Sequence, residues 1–131
     1  MRPKIYIDGK DGTTGLQIYD RLAARDDIDL LLIDEDKRKD PAARKKLMAA
    51  ADIVFLCLPD AAAIEAVALA EGTNARIIDA STAHRTAPGW VYGFPELRPG
   101  QREAIAKARY VANPGCHATG FISIAAPLVQ A

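Results

Sequence analysis

The sequence predicts an α/β fold built on a doubly wound, mostly parallel sheet. Short apolar runs alternate along the chain with segments whose apolar residues recur at helical spacing, which is typical of right-handed βαβ units. A glycine-rich turn separates the first run from the first helical segment, as in dinucleotide-binding domains of the Rossmann type. The 131 residues suffice for one domain with its own core, and a charged fraction of 26% is ordinary for a globular protein.

The predicted elements follow one another with short connections. Predicted strands are residues 4–8, 30–33, 53–58, 75–79 and 109–112, and predicted helices are residues 16–23, 41–51, 61–71, 101–108 and an apolar helix from Thr119 onward. Residues 30–33 are all apolar, so we expect this strand to be buried on both faces of the sheet. Asp60 is expected to cap the third helix, and Gly72 to end it. Residues 80–100 combine several Pro and Gly with aromatic residues, which predicts a long functional loop.

Charge and composition exclude several classes of protein. Seventeen basic residues balance seventeen acidic ones, so no overall field attracts nucleic acid or an anionic membrane. No apolar run approaches the roughly 18 residues of a membrane span, and we expect a cytoplasmic protein with neither nucleic-acid nor membrane partners. Cys57 and Cys116 are too few for a disulfide framework, and they lack neighbours at metal-ligand spacing, so no metal site is expected.

The first turn has the pattern G-x-x-G-x-x-G and lies between a predicted strand and a predicted helix. Glycines let the backbone approach a pyrophosphate, and the free amides and dipole of the helix start stabilise its anionic oxygens. A purely structural turn is the alternative, but the first βα turn is where a doubly wound sheet binds a dinucleotide. The residues expected to contact the cofactor here are Gly9, Gly12, Thr13, Thr14 and Gly15.

The end of the second predicted strand leaves the choice between NAD and NADP open. Asp34 lies about 20 residues after the glycine turn, where a carboxylate binds the ribose 2′-hydroxyl of NAD. Lys37, Arg38 and Lys39 follow at once, and they suit either the 2′-phosphate of NADP or a solvated loop. We expect the carboxylate of Asp11, within the glycine turn, to point away from the phosphates.

Cys116 is the candidate nucleophile. It follows Asn113-Pro114-Gly115, after a predicted strand and just before the last helix. A thiol at a helix N-terminus has its thiolate stabilised by backbone amides and by the helix dipole, which favours nucleophilic chemistry near neutral pH. The alternative is a buried, inert thiol, and that is what we expect for Cys57 inside an apolar strand.

Three polar residues follow the fourth predicted strand, at the carboxyl edge where open α/β sheets bind ligands: Ser81, His84 and Arg85. The guanidinium of Arg85 can bind a phosphate or carboxylate through two hydrogen bonds. We expect His84 to be an ordinary loop residue, and His117 to point about 100° away from Cys116 around the helix. Neither histidine is assigned a catalytic role.

Together these motifs resemble the shorter type of N-acetyl-γ-glutamyl-phosphate reductase, a family that uses NADPH in arginine biosynthesis. The resemblance extends through nearly the whole chain and is found in residues 7–9, 12–18, 58–60, 79–85, 92–97 and 113–120. One departure is His117-Ala118, where many members have Tyr-Pro. The resemblance implies an NAD(P)-binding domain at residues 1–112. Residues 113–131 are then a cysteine-bearing turn and helix that lead into a catalytic and dimerisation domain outside this chain.

The resemblance also implies a mechanism. Cys116 attacks the acyl phosphate, phosphate leaves, and the thioester accepts hydride from the nicotinamide before the semialdehyde is released. The family's catalytic histidine would lie outside this chain, in a full-length protein that is a homo-oligomer. The residues implied for substrate or phosphate are Ser81, Arg85 and Asn113, and those added to the NADP(H) site are Leu58, Pro59, Lys37 and Arg38, with Lys39 beside them.

Two other interpretations remain open from the sequence. Aspartate-semialdehyde dehydrogenases share this plan and the thioester chemistry, but their cysteine motif typically has Asn at the position of Gly115. A noncatalytic dinucleotide-binding module in which Cys116 senses oxidation belongs to a different class. The rate of thiol alkylation with and without an acyl phosphate separates such a sensor from part of an enzyme.

Overall fold

The computed structural model describes residues 1–131 as one parallel sheet with helices around it. The strands are β1 (Lys4–Asp8), β2 (Asp29–Leu31), β3 (Ile53–Leu56), β4 (Arg76–Asp79), β5 (Val91–Tyr92) and β6 (Tyr110–Ala112). The helices are α1 (Thr13–Ala23), α2 (Pro41–Ala50), α3 (Asp60–Leu69), α4 (Gln101–Lys107) and α5 (Cys116–Gln130), with 3₁₀ turns at Glu35–Lys37 and Pro95–Leu97. All pairings are parallel, in the order β2-β1-β3-β4-β6-β5, so the predicted fold class is confirmed.

Two helices begin earlier than the sequence-based prediction, for one reason. The helix α1 begins at Thr13 rather than Leu16, and α5 begins at Cys116 rather than Thr119. The first turn of each helix is made of small or polar residues, which give no apolar periodicity to detect. The strand β5 is unpredicted, because two residues are too short to show an alternating pattern, and it pairs with β6 inside the expected long loop.

The core lies between the sheet and the helices α2 and α3. Tyr6, Val54, Leu56 and Ile77 are fully buried on three neighbouring strands, and Met48 of α2 covers them. Burial of a large apolar side chain of this kind is worth roughly 1.5–3 kcal/mol. The face of α3 that meets the sheet is made of small residues, which allows a close approach: Ala63, Ala66 and, just after the helix, Ala70.

The expectation that residues 30–33 are buried on both faces is wrong. The strand β2 is at the edge of the sheet and pairs only with β1. Leu30 and Leu31 are half-buried, and Leu32 is 57% exposed. A continuous apolar run identifies a strand of a parallel sheet, but the lateral position of that strand depends on pairing partners elsewhere in the chain.

The outward face of α5 is apolar and uncovered. Phe121, Ile124, Leu128 and Val129 are each at least 72% exposed. None of the five helices combines the length and the apolar character needed to cross a bilayer. Another face of α5 meets the 3₁₀ turn at Pro95–Leu97, where Gln130 donates to the carbonyl of Leu97 at 3.5 Å.

Candidate active site

The turn between β1 and α1 requires glycine at two positions. Gly9 has φ +86°, and a Cβ on it would collide with the carbonyl oxygen of Cys57. Gly15 is buried in the first turn of α1, where a Cβ would collide with the carbonyl oxygen of Gly9. The absence of these two side chains lets the start of α1 lie directly against the ends of β1 and β3.

Gly12 differs from both, because a Cβ there would meet only the carbonyl oxygen of Gly9, at 3.6 Å. Its backbone is extended, and no side chain caps the start of α1. Gly12, Thr13 and Thr14 border a cavity of about 190 Å³, completed by Cys57, Leu58, Pro59 and Ala80. This uncapped helix start with open space in front of it fits the pyrophosphate of a dinucleotide.

A larger cavity of about 440 Å³ adjoins this one, and Leu58 borders both. Its apolar lining includes Ile33 and Ala62, and its charged lining contains four basic residues, Arg38 and Lys39 among them, and four acidic ones. A volume of this size is typical of small-molecule sites. The two cavities together fit an extended ligand with one anionic end and one partly apolar end.

A buried ion pair lies at the base of the larger cavity. Arg44 donates through Nε and Nη2 to Oδ2 of Asp8, at 3.2 and 2.8 Å, and the hydroxyl of Tyr6 donates to Oδ1 at 3.2 Å. The side chains of Arg44 and Asp8 are only 10% and 5% exposed. Burial raises the pKa of Tyr6, and the charge of Asp8 raises it further, so the phenol stays neutral. The pair gives the cavity a fixed base.

The charged residues after β2 divide into two groups. Arg38 and Lys39 line the larger cavity, and Arg38 Nη1 is 2.5 Å from the carboxylate of Asp11. Asp34 and Lys37 do not line it, and their side chains instead form an exposed pair with an Nζ to Oδ2 distance of 3.4 Å. The 3₁₀ turn at residues 35–37 produces this i,i+3 pairing, which the spacing of charges alone did not predict.

Leu58 and Pro59 occupy the expected place beside the glycine turn, but Asp60 does not cap α3. Asp60 is the first residue of that helix, and its carboxylate accepts hydrogen bonds from the amide of Thr82, at 2.9 Å, and from the Thr82 hydroxyl. These two hydrogen bonds lower the pKa of Asp60. They also connect the segment after β3 to the segment after β4.

Cys116 is the first residue of α5, and its side chain is exposed. Gly115 precedes it without providing a side-chain cap. The Sγ atom lies 3.6 Å from Nδ1 of His117, so the expectation that His117 points away is wrong. Successive Cβ atoms do diverge by about 100° around a helix, but an exposed imidazole at the first turn is long enough to fold back.

Cys57 contrasts with this thiol, although it is not fully enclosed as expected. It follows β3, is half-buried and lines the smaller cavity. Burial, followed by the charges of Asp8 and Asp79, raises the pKa of Cys57 to about 11. Near neutral pH this thiol is protonated and a poor nucleophile.

The guanidinium of Arg85 lies over the turn that precedes the exposed thiol. Its Nε donates to the carbonyl of Asn113 at 3.2 Å, and Nη2 donates to the carbonyl of Ala80 at 3.4 Å. A Cβ on Gly115 would lie 2.7 Å from Nη1. The structure therefore brings Arg85, Asn113 and Cys116 together at the carboxyl edge of the sheet.

The hydroxyl of Ser81 makes its hydrogen bonds within the protein. Ser81 is buried, its hydroxyl donates to Oδ2 of Asp79 at 2.7 Å, and the Ser81 Oγ accepts from the amide of Ala83 at 3.2 Å. His84 is not an ordinary loop residue, because Nδ1 lies 2.5 Å from Asp79 Oδ2 and its ring stacks on Trp90. Sequence reasoning missed Asp79, for which the signal was an acidic residue at the end of an otherwise apolar strand.

Comparison with known proteins agrees with this geometry. Residues 34–108 match the family described as the semialdehyde dehydrogenase NAD-binding domain. The chain belongs to this family. The N-acetyl-gamma-glutamyl-phosphate reductase of Trichormus variabilis is 60% identical over 128 residues, which are 98% of this chain and 40% of that protein. The protein of the same name from Brucella ovis is 58% identical over 132 residues, or 100% of this chain and 43% of that one.

The chain thus spans about two fifths of the length of these relatives. The resemblance noted from the motifs is confirmed by them. Among solved structures, aspartate semialdehyde dehydrogenase II from Vibrio cholerae matches with a TM-score of 0.74 and 14% identity, over 100% of this chain and 47% of that one. Similarity at this level of identity concerns the fold alone.

Proposed function

We propose that this chain is the cofactor-binding and nucleophile-bearing part of an N-acetyl-γ-glutamyl-phosphate reductase. That enzyme reduces an acyl phosphate to N-acetylglutamate semialdehyde with NADPH, in arginine biosynthesis. The observation that carries the proposal is an exposed thiol at the uncapped start of α5, one residue after Gly115, over which the guanidinium of Arg85 lies. The relatives of that name, 58–60% identical over nearly the whole chain, support it.

The cofactor is NADP(H), bound across the two adjoining cavities. The amides at the start of α1, from Thr13 and Thr14, hold the pyrophosphate, and Gly12 leaves room for it. Arg38 and Lys39 flank the adenosine end, where their charges suit a 2′-phosphate. When bound, the nicotinamide supplies the hydride that reduces the substrate.

The remaining chemistry belongs to side chains of the cysteine turn. The Cys116 thiolate attacks the acyl carbon, a C–S bond forms, and the C–O bond to phosphate breaks as phosphate departs with the electron pair. Backbone amides at the start of α5 stabilise the oxyanion that develops on the acyl oxygen. Arg85 binds the departing phosphate by charge-assisted hydrogen bonds, and the carbonyl of Asn113 accepts a hydrogen bond from the guanidinium at 3.2 Å.

This assignment gives the two parts of the chain different roles. Residues 1–112 bind the dinucleotide, and residues 113–131 present the thiol and lead into a further domain. That domain supplies the proton-transfer group and the contacts of a homo-oligomer. The apolar, uncovered face of α5 is consistent with packing against it.

One contact at position 115 bears on the aspartate-semialdehyde dehydrogenase alternative. The guanidinium of Arg85 occupies the space that a side chain at position 115 would need. Asn, which is typical at that position in the aspartate-semialdehyde family, would displace it. With glycine at this position, Arg85 lies over the turn that precedes the thiol.

A steady-state assay of the intact protein tests the proposal, with NADP⁺, phosphate and either N-acetylglutamate semialdehyde or aspartate semialdehyde. We expect phosphate-dependent NADPH formation with the acetylated substrate, and a kcat/KM at least about a hundredfold lower with aspartate semialdehyde, the scale on which polar recognition discriminates. Equal kcat/KM values for the two substrates would contradict the substrate assignment. Activity without phosphate would contradict the acyl-phosphate chemistry.

A further inference from the structure

The carboxylate of Asp79 organises the segment that follows β4. Asp79 is fully buried, and its Oδ1 accepts the amide of Ser81 at 2.9 Å. Its Oδ2 accepts the Ser81 hydroxyl at 2.7 Å and lies 2.5 Å from Nδ1 of His84. Because an ionised carboxylate can only accept, Nδ1 carries the hydrogen of this bond. Residues 80–84 are thus folded around one buried acidic group.

The other side of the imidazole is held by aromatic stacking. The rings of His84 and Trp90 are 4.1 Å apart between centroids and inclined by 14°. Trp90 in turn packs on Tyr110, at 5.1 Å, and Tyr110 begins the strand that leads to the cysteine turn. His84 therefore lies between a buried carboxylate and the strand β6.

Asp79 also holds the cysteine turn through its backbone. Its carbonyl accepts the amide of Asn113 at 2.8 Å. Arg85 follows His84 directly, and its own hydrogen bonds to carbonyl oxygens are long, at 3.2 and 3.4 Å. Two such contacts hold a flexible side chain only weakly, so the location of its charge depends on where the backbone places residue 85.

We propose that His84 is a positioning residue that holds the charge of Arg85 beside Cys116, by donating to Asp79 and stacking on Trp90. The inference rests on the proposed function, because Arg85 is the phosphate-binding group there. His84 does not touch the substrate in this arrangement. Without the His84 side chain, residues 80–85 lose their contacts with Asp79 and Trp90 through the imidazole, and the guanidinium of Arg85 moves away from the cysteine turn.

The test compares two reagents that alkylate Cys116, namely iodoacetate, which is anionic, and iodoacetamide, which is neutral. The ratio of their rates reports positive charge near the sulfur and is insensitive to a general change in thiol reactivity. At low salt, loss of a unit charge within about 5–10 Å of a sulfur lowers the ratio about two- to fourfold, and high salt removes the effect. Mass spectrometry of the modified peptide separates Cys116 from Cys57.

Two substitutions isolate the positioning role. His84→Phe keeps a ring to stack on Trp90 but removes the donor to Asp79, and we expect the ratio to fall to that of Arg85→Ala. His84→Asn keeps a donor near the Nδ1 position, and we expect it to restore part of the ratio. Arg102→Ala, on an exposed residue of α4, is the matched control for loss of a positive charge and leaves the ratio unchanged.

A wild-type ratio in folded His84→Phe, with a lowered ratio in Arg85→Ala, would overturn the inference. Should His84→Phe fail to fold, Trp90→Leu removes the stacking without touching the carboxylate, and a wild-type ratio in that variant would overturn it equally. The assay needs no substrate or cofactor. If the substrate assignment is wrong, the expected alkylation ratios are unchanged. If the positioning role is wrong, the ratios differ from those expected, whereas the activity of the wild-type protein persists.

Discussion

Two helices begin at the same edge of this sheet without a side-chain cap, and the two starts are built in opposite ways. The start of α1 is shaped by absent side chains, since Gly9 and Gly15 allow contacts that any Cβ would prevent. The start of α5 is shaped by present ones, an exposed thiol and a guanidinium lying over Gly115. The contrast indicates that a surface for holding a ligand needs backbone amides and space, whereas a reacting centre needs side chains with charge and nucleophilicity.

The largest expected effect is the loss of activity when Cys116, at the start of α5, is substituted. Cys116→Ser in the intact protein should reduce phosphate-dependent semialdehyde oxidation to background, because a serine hydroxyl gives no comparable anion at neutral pH. The start of α1 is untouched, so the affinity for NADP⁺ should be unchanged when measured by calorimetry. Residual activity near the wild-type level would place the nucleophile elsewhere.

Substitutions of the glycines at the start of α1 should have two different effects, one on stability and one on cofactor affinity. Gly15→Val forces a side chain into the Gly9 backbone and should lower the free energy of unfolding by at least about 3 kcal/mol. Gly12→Val meets only open space and an ordinary contact of 3.6 Å, so it should fold with near-native stability. It should nevertheless weaken NADP⁺ binding at least about tenfold, or 1.4 kcal/mol, by filling the space of the pyrophosphate.

Denaturant unfolding and calorimetry measure these two quantities. Native affinity in a folded Gly12→Val variant would show that this helix start is not the pyrophosphate site. Tighter binding of NAD⁺ than of NADP⁺ by the wild-type chain would remove the 2′-phosphate role of Arg38 and Lys39.

Arg85→Ala tests whether a positive charge at the start of α5 binds phosphate. The loss of a charge-assisted contact costs on the order of 1.5–3 kcal/mol, which corresponds to a rise of about 10- to 150-fold in the KM for phosphate. Affinity for NADP⁺ should stay within about twofold, a change well below the 1.4 kcal/mol of a tenfold effect. Initial rates at varied phosphate concentration provide the measurement, with Arg102→Ala as the control. A fall in kcat with unchanged phosphate KM would mean that Arg85 does not bind the phosphate.

The smallest expected effect is a difference in alkylation rate between the two thiols. Cys57 borders the cavity at the start of α1, and Cys116 lies at the start of α5. Iodoacetamide should label Cys116 first near neutral pH, since it is exposed at a helix start. The pKa of Cys57 is raised to about 11, so its labelling should stay slow and increase only as the pH approaches that value. Peptide mass spectrometry over a pH series gives both rates. Faster labelling of Cys57 in the folded chain at pH 7 would reverse the assignment of the reactive thiol.

Sequence patterns specified the features of this molecule that depend on neighbouring residues. The strand at residues 4–8 has the predicted bounds, because its branched and aromatic run ends at a glycine that must turn. The placement of Cys116 at a helix start followed from Pro114 and Gly115, which interrupt the chain just before it. The same reasoning located the glycine turn, whose spacing is local.

Features that depend on distant partners were not accessible in this way. The edge position of β2 is set by which strands pair with β1, and the hydroxyl of Ser81 is hydrogen-bonded to a buried carboxylate at position 79. Lys37 turns to Asp34 and away from the cavity, and His117 folds toward the thiol. Each of these outcomes is a choice among side-chain rotamers and partners, which residue type and spacing leave undetermined.

The guanidinium that lies over Gly115 makes two distant sequence positions mutually dependent. Any side chain larger than hydrogen at position 115 must share its space with Arg85, so a substitution at either position changes what the other can accept. Paired substitutions here should be non-additive, unlike pairs of residues that share no contact. A designer who wishes to redirect this centre toward a different anion has to alter both positions together, because neither can be optimised against a fixed neighbour.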